Sequence, residues 1–226
     1  TIVITLNNTV IANAGSDQNL CNVTIATLNG NIATPGIGTW TTLSSATIVN
    51  PSLPNTVVNG MQVGTYSFVW TIVNGSCTTS DTVLITIDSL IIANAGVDQA
   101  VCVGGTVSLS GNAPSTGVGQ WTTTSSAIIA NPTNASTTVS GLNTFGSYSF
   151  IWTITNGTCT SSDTILVQVD SAEVADAGSD QNLCEIFIGN LNATVPLTSV
   201  GAWTSLGAAT VTTPAAANSA VSNLVY

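Results

Sequence analysis

The sequence contains no lysine, arginine or histidine, and its ten aspartate and glutamate residues give a formal net charge of −10. Without cations the chain cannot neutralise phosphate groups, which excludes nucleic acid and anionic membrane surfaces as partners. The lack of histidine removes the usual base for a serine or cysteine nucleophile, and the lack of lysine removes Schiff-base chemistry. No stretch approaches 18 consecutive apolar residues, so we expect no membrane insertion of this segment. These absences argue against an enzyme.

What the sequence does contain is an internal repeat with a period of 81 to 82 residues. Its opening motif occurs three times, as ANAGSDQNLC (12–21), ANAGVDQAVC (93–102) and ADAGSDQNLC (175–184). A second block, GTYSFVWTIVNGSCTTSDTVLITID (64–88), recurs as GSYSFIWTITNGTCTSSDTILVQVD (146–170). A period of this length is typical of one small β domain.

The repeat predicts four segments of unequal completeness. Residues 1–11 align with the end of the second block and the start of the following linker, so we expect them to be the last strand of a preceding, truncated repeat. Two full repeats follow at 12–92 and 93–174, and 175–226 is a third repeat truncated at its C-terminus. We therefore expect this chain to be part of a longer tandem array.

Within each repeat, the pattern of residues indicates β-strands. Tyr148, Phe150 and Trp152 alternate with small polar or aliphatic residues, which is the period of a strand with one aromatic face. Asn156-Gly157 follows at once and is a hairpin-turn signal. Six or seven short strands per repeat, with no helical periodicity, predict an all-β fold of tandem β-sandwiches.

The five cysteines occupy two repeat positions. Cys21 and Cys77 hold them in the first full repeat, Cys102 and Cys159 in the second, and Cys184 holds the first position in the third. We predict one disulfide inside each repeat, Cys21–Cys77 and Cys102–Cys159. Cys184 is then a half-cystine whose partner lies outside the chain. Disulfides of this kind indicate an oxidising, extracytoplasmic location.

The opening string A-[ND]-A-G-x-D-Q, followed by G-x-W-T and G-x-Y-x-F-x-W-T-I-x-N-G-x-C, resembles the PKD-like, Ig-like repeats of giant Bacteroidetes surface proteins. The nearest group is the SprB-type gliding adhesins and other cargo of the type 9 secretion system. The resemblance covers essentially all 226 residues. It implies Ig/PKD-like sandwiches in a long, disulfide-stapled filament on the bacterial cell surface, used for adhesion and gliding motility. Its partners would be neighbouring repeats of the same chain and surface polysaccharide or other cell-surface components.

Acidic residues recur near the repeat junctions and suggest a calcium site. Four of them, Asp170, Glu173, Asp176 and Asp180, fall within eleven residues that contain no basic side chain. Oxygen-rich clusters of this kind coordinate Ca²⁺, which is the one cofactor that the sequence suggests, although none is required. The alternative is that these acids are turn residues and side-chain caps on exposed loops.

Four tripeptides of the form Asp, then Ser or Thr, then an aliphatic or small residue resemble the O-glycosylation sequence of Bacteroidetes. The hydroxyls concerned are those of Thr82, Ser89, Thr164 and Ser171. The alternative is a strand that alternates polar and apolar residues.

These patterns predict a structural function for the chain: a repeat segment that extends and displays a binding region for adhesion or gliding. Two alternatives remain open at this point. One is a spacer or accessory module of a secreted polysaccharide-degrading enzyme, and the other is a subunit of a self-assembling extracellular filament. Nine of the twelve aromatic residues occupy repeat-equivalent positions and are expected in the sandwich cores rather than on a sugar-binding face.

Overall fold

A computed structural model describes residues 2, 8–171, 173–197 and 199–225. Most of the strand predicted within 1–11 therefore lies outside the described residues. The chain divides into two compact units, Thr1–Val169 and Asp170–Tyr226. In the part of the chain that is described, no helix is long and apolar enough to cross a membrane.

The first full repeat folds as a seven-stranded sandwich. Its strands are β1 (Gln18–Cys21), β2 (Ile25–Asn29), β3 (Ile37–Thr42), β4 (Thr47–Ile48), β5 (Asn55–Asn59), β6 (Gly64–Asn74) and β7 (Cys77–Asp88). One sheet has the order β1-β7-β6-β3 and the other the order β2-β5-β4. Strand β1 runs parallel to β7, whereas the other pairs are antiparallel.

The second repeat has the same architecture. Its strands are β8 (Gln99–Cys102), β9 (Val107–Ser110), β10 (Val118–Thr122), β11 (Ile128–Ile129), β12 (Ser136–Ser140), β13 (Gly146–Asn156) and β14 (Cys159–Asp170). The two sheets have the orders β10-β13-β14-β8 and β11-β12-β9, which correspond strand for strand to those of the first repeat. The all-β sandwich prediction is confirmed.

Each sandwich closes over an aromatic core that follows from the alternation in the sequence. In β13 the side chains of Tyr148, Phe150 and Trp152 are buried, and Trp152 lies against Trp121 with ring centroids 5.0 Å apart. Trp40 and Trp70 repeat this pair in the first repeat at the same 5.0 Å. Burying such large rings supplies much of the hydrophobic stabilisation of a small domain.

A tyrosine at the start of the second-last strand fixes the connection that precedes it. The Tyr66 hydroxyl accepts a hydrogen bond from the Gln62 amide at 2.6 Å. Tyr148 makes the equivalent contact with the Thr144 amide at 3.3 Å. This back-bonded tyrosine is a hallmark of immunoglobulin-type sandwiches.

The second unit contains a three-stranded sheet made of β15 (Gly189–Asn192), β16 (Thr210–Val211) and β17 (Asn218–Ser222), in the order β15-β17-β16. This order matches the smaller sheet of each full repeat. Trp203 is only half-buried, whereas Trp40 and Trp121 are 1% exposed. The difference arises because those two tryptophans pack on β6 and β13, and the sequence holds no third copy of that strand.

Candidate functional site at the repeat junction

The junction between the first two repeats is built by the β13–β14 hairpin, whose turn lies against the end of β7. The Asn156 Nδ2 donates to the carbonyl oxygen of Ser89 at 3.0 Å and to its Oγ at 2.9 Å. The Thr158 amide donates to Oδ2 of Asp88 at 2.8 Å. A charged acceptor makes this last hydrogen bond stronger than a neutral one. The tip of one repeat is therefore held to the final strand of the repeat before it.

Glycine is required at the turn for two reasons. Gly157 has φ of 57°, in the left-handed region that side chains disfavour. A Cβ at this position would also lie 2.0 Å from Oδ2 of Asp88. The Asn-Gly pair recognised in the sequence therefore forms the hairpin turn and also lets it approach the preceding repeat.

A disulfide between Cys21 and Cys159 crosses this junction, with an S–S distance of 2.05 Å and Cα atoms 4.9 Å apart. Cys21 ends β1, beside Asp88 in the parallel ladder, and Cys159 begins β14 directly after the turn. The Asn22 amide also donates to the Asp88 carbonyl oxygen at 3.0 Å. The bond therefore links two repeats rather than two parts of one repeat.

The predicted intra-repeat disulfides Cys21–Cys77 and Cys102–Cys159 are wrong. Because β1 runs parallel to β7, Cys21 lies beside Asp88 at the end of β7, whereas Cys77 is the first residue of that strand. The strand has 12 residues, so its two ends are about 36 Å apart at the usual rise per residue. A disulfide requires Cα atoms within about 7 Å of each other.

The remaining cysteines differ in exposure. Cys102 and Cys184 are exposed, and within the described chain neither forms a disulfide. Cys77 is half-buried at the start of β7. That Cys184 has its partner outside the chain stays a prediction.

The junction contact has a counterpart at the start of the first repeat. Asn74, the equivalent of Asn156, donates from Nδ2 to the carbonyl oxygen of Asn8 at 2.7 Å. Asn8 corresponds to Ser89 in the repeat alignment. The hairpin turns of both repeats therefore bind the chain that precedes them in the same way.

The carboxylates that recur in both full repeats bind backbone amides. Oδ2 of Asp81 accepts the Ala14 amide, and Oδ2 of Asp163 accepts the Ala95 amide, each at 2.7 Å. The opening motif also supplies an acceptor to the closing strand: Oδ1 of Asp17 accepts a hydrogen bond from the Leu84 amide at 2.8 Å. Asp98 accepts from Leu166 at the same distance. These acids fasten each opening motif to the closing strand of its repeat.

The proposed calcium ligands are dispersed within the second unit. Asp176 caps the Gly178 amide at 2.9 Å, while Oε2 of Glu173 accepts the Ser199 hydroxyl at 2.6 Å. Asp170 and Asp180 are exposed. Among the described residues, no three acidic, cysteine or histidine side chains come close enough together to hold a metal ion. Calcium binding stays a prediction without a preformed site.

Three of the four candidate glycosylation hydroxyls, Thr82, Thr164 and Ser171, lie on exposed residues. Ser89 differs because its Oγ accepts the hydrogen bond from Asn156 at the junction. A glycan on Ser89 would compete with this contact, so the predicted modification fits the other three positions better.

Comparison with known proteins gives the fold. No family model matches the chain, and no curated protein matches it. Extracellular domains 3–5 of Drosophila OTK superpose with a TM-score of 0.53 at 13% identity, over 74% of this chain and 63% of that one. Titin domains I67–I69, in an E-to-A mutated variant, superpose with a TM-score of 0.51 at 9% identity, over 94% of this chain and 87% of theirs. The chain spans less than two thirds of the OTK fragment. At these identities the likeness concerns the fold: tandem Ig-like domains.

Proposed function

We propose that this chain is a structural segment of a long extracellular surface protein, in which tandem Ig-like repeats extend and display a binding region. The observation that carries the proposal is the junction, where a disulfide and side-chain hydrogen bonds fix one repeat to the next. Independent domains on flexible linkers need no such contacts. A filament that carries tension along its length needs contacts that fix each repeat to its neighbour.

The disulfide also favours a location outside the cytoplasm. Thiols are kept reduced in the cytosol, so a bond that fixes a repeat junction would be expected in a secreted or cell-surface protein. The resemblance to PKD-like repeats of Bacteroidetes adhesins supports a bacterial surface and export through the type 9 pathway. Adhesion or gliding motility is then the function that the whole protein would serve, with surface polysaccharide or other cell-surface components as its partners.

The test is made on the source bacterium. An antiserum raised against these 226 residues should label intact cells, and treatment of the cells with an external protease should remove the label. Deletion of the gene should reduce attachment to surfaces or gliding while leaving growth in rich medium unchanged. An antigen found only in the cytoplasm would contradict the proposal.

The two alternatives to this proposal predict different experimental results. If the chain is a spacer of a polysaccharide-degrading enzyme, the deletion strain should lose growth on a polysaccharide and keep its attachment. If the chain is a subunit of an assembling filament, the purified protein should form multi-chain fibres in electron micrographs. A single string of beads in the micrographs supports the proposed structural segment of one long chain.

A further inference from the structure

The contacts that place Cys159 beside Cys21 depend on two features that recur along the chain, the hairpin cysteine in two repeats and the opening-strand cysteine in three. The hairpin cysteine follows the Asn-Gly turn, and the opening-strand cysteine lies at the end of the strand that pairs with the last strand. Both features recur at the repeat period in the sequence. The two halves of this geometry are therefore repeated in the sequence, each at its own equivalent position.

Cys102 occupies in the second repeat the place that Cys21 occupies in the first. It ends β8, and β8 lies beside β14 as β1 lies beside β7. The contact between Asp98 and the Leu166 amide reproduces that between Asp17 and the Leu84 amide, both at 2.8 Å. The start of β8 is thus held to β14 as the start of β1 is held to β7.

Cys21 and Cys102 hold the same repeat position but differ in exposure. The difference is the one expected if Cys21 has its hairpin partner and Cys102 lacks one. Cys21 is half-buried because the hairpin of the second repeat covers it, and its partner Cys159 is 1% exposed. Cys102 is exposed, and the sequence holds no third copy of the hairpin block that would cover it. Cys184 holds the same repeat position and is exposed as well.

We propose that the Cys21–Cys159 bond is one rung of a ladder, in which the opening-strand cysteine of each repeat is bonded to the hairpin cysteine of the next. Cys102 and Cys184 are then attachment sites for the hairpins of following repeats. The partner is chemically defined: a cysteine two residues after an Asn-Gly turn in another copy of this domain. The ladder is independent of what the array binds.

Such rungs interleave, so they form two covalent paths along the array. Each path alternates a disulfide with a segment of 24 residues that lies between a hairpin cysteine and the next opening-strand cysteine, as between Cys77 and Cys102 or between Cys159 and Cys184. Most of the segment from Cys77 to Cys102 is already strand, in β7 and β8. Because such a path is already largely extended in the folded state, we expect it to lengthen little under tension.

The ladder is tested by completing the third repeat with the chain's own hairpin. A second copy of residues 145–174 is appended after Tyr226, and the oxidised monomer is digested with a protease that cleaves before aspartate. Cleavage isolates three fragments: 17–80, 98–162, and 180–226 joined to the copy of 145–162. Mass spectrometry without reductant should find all three in one linked species, which reductant separates.

The matched control is Cys102→Ser in the same extended chain. It should release the third fragment and leave 17–80 linked to 98–162, because Cys21–Cys159 is unaffected. That remaining link also shows that the first two repeats have folded. The ladder is overturned if 17–80 and 98–162 are linked while the third fragment stays separate, or if Cys102 joins two chains instead.

Discussion

Single residues set how closely the layers of each sandwich approach, and glycine is used where an indole needs the space. A Cβ at Gly38 would lie 2.1 Å from Cζ2 of Trp70, and one at Gly119 would lie 2.2 Å from Cζ2 of Trp152. Both tryptophans are fully buried, so the rings have no room to move away. A single methyl group is therefore expected to disturb the core.

We expect Gly119→Ala to destabilise the second repeat by about 1–3 kcal/mol, the usual cost of overpacking a core. Gly38→Ala should do the same in the first repeat. Gly207→Ala is the control, because a Cβ there meets no atom within 4 Å. Chemical denaturation followed by tryptophan fluorescence measures the change, and an unaltered midpoint for Gly119→Ala would contradict the packing.

The carboxylates that hold the opening motifs allow a second test at this scale. Asp163→Ala removes the acceptor of the Ala95 amide, whose hydrogen bond is 2.7 Å long. We expect a loss of about 1–3 kcal/mol, since a buried donor is left without its partner. Hydrogen exchange should show faster exchange at Ala95, while the exposed Asp180→Ala should leave it unchanged. Equal protection in both variants would argue that the cap is dispensable.

At the scale of elements, the junction depends on one hairpin turn lying against the end of a strand. Oδ2 of Asp88 accepts from both the amide and the Oγ1 of Thr158, at 2.8 and 3.1 Å. These contacts hold the start of β14, and with it Cys159, beside the end of β7 and Cys21. Asp170 is the equivalent residue at the end of β14 and is exposed.

We therefore expect Asp88→Ala to reduce the yield of the Cys21–Cys159 bond when the reduced protein is reoxidised in a glutathione buffer. Asp170→Ala should leave the yield unchanged, because its side chain lies at the other end of the second repeat. Fragments 17–80 and 98–162, produced by cleavage before aspartate, report the bond by their linkage. Equal yields in the two variants would show that the hairpin docks without this carboxylate.

The strands themselves were predictable from the sequence, because burial alternates with period 2 and the Asn-Gly turn marks its own hairpin. The alternation at Tyr148, Phe150 and Trp152 matches the alternating burial observed along β13. The disulfide was not predictable in this way. Its partners depend on β1 running parallel to β7, which puts Cys21 at the far end of the domain from Cys77. Repeat spacing gives equivalent positions and does not say which end of a domain they occupy.

For the whole molecule, the disulfide changes which residues carry tension. When the chain is pulled from its two ends, force passes from Cys21 directly to Cys159, and the 137 residues between them are bypassed. Fully extended, those residues would contribute about 470 Å of contour length. Unfolding the sandwiches therefore releases almost none of that length while the bond is intact.

In single-molecule pulling, we expect the unfolding of the two full repeats to add this length only after a reductant is supplied. The double variant Cys21→Ser/Cys159→Ser should release it without reductant, whereas Cys184→Ser should behave as the unmodified chain. Unfolding steps of about 80 residues in the unreduced wild-type protein would contradict a bond across the junction.

The same bond changes what a cut in the backbone does. The loop from Cys21 to Cys159 contains every strand from β2 to β13. A protease that nicks the chain once anywhere in that loop leaves both ends attached, so the protein still migrates as one species until it is reduced. A chain linked in this way tolerates a single cut between Cys21 and Cys159, and its two pieces separate only when a reductant also acts.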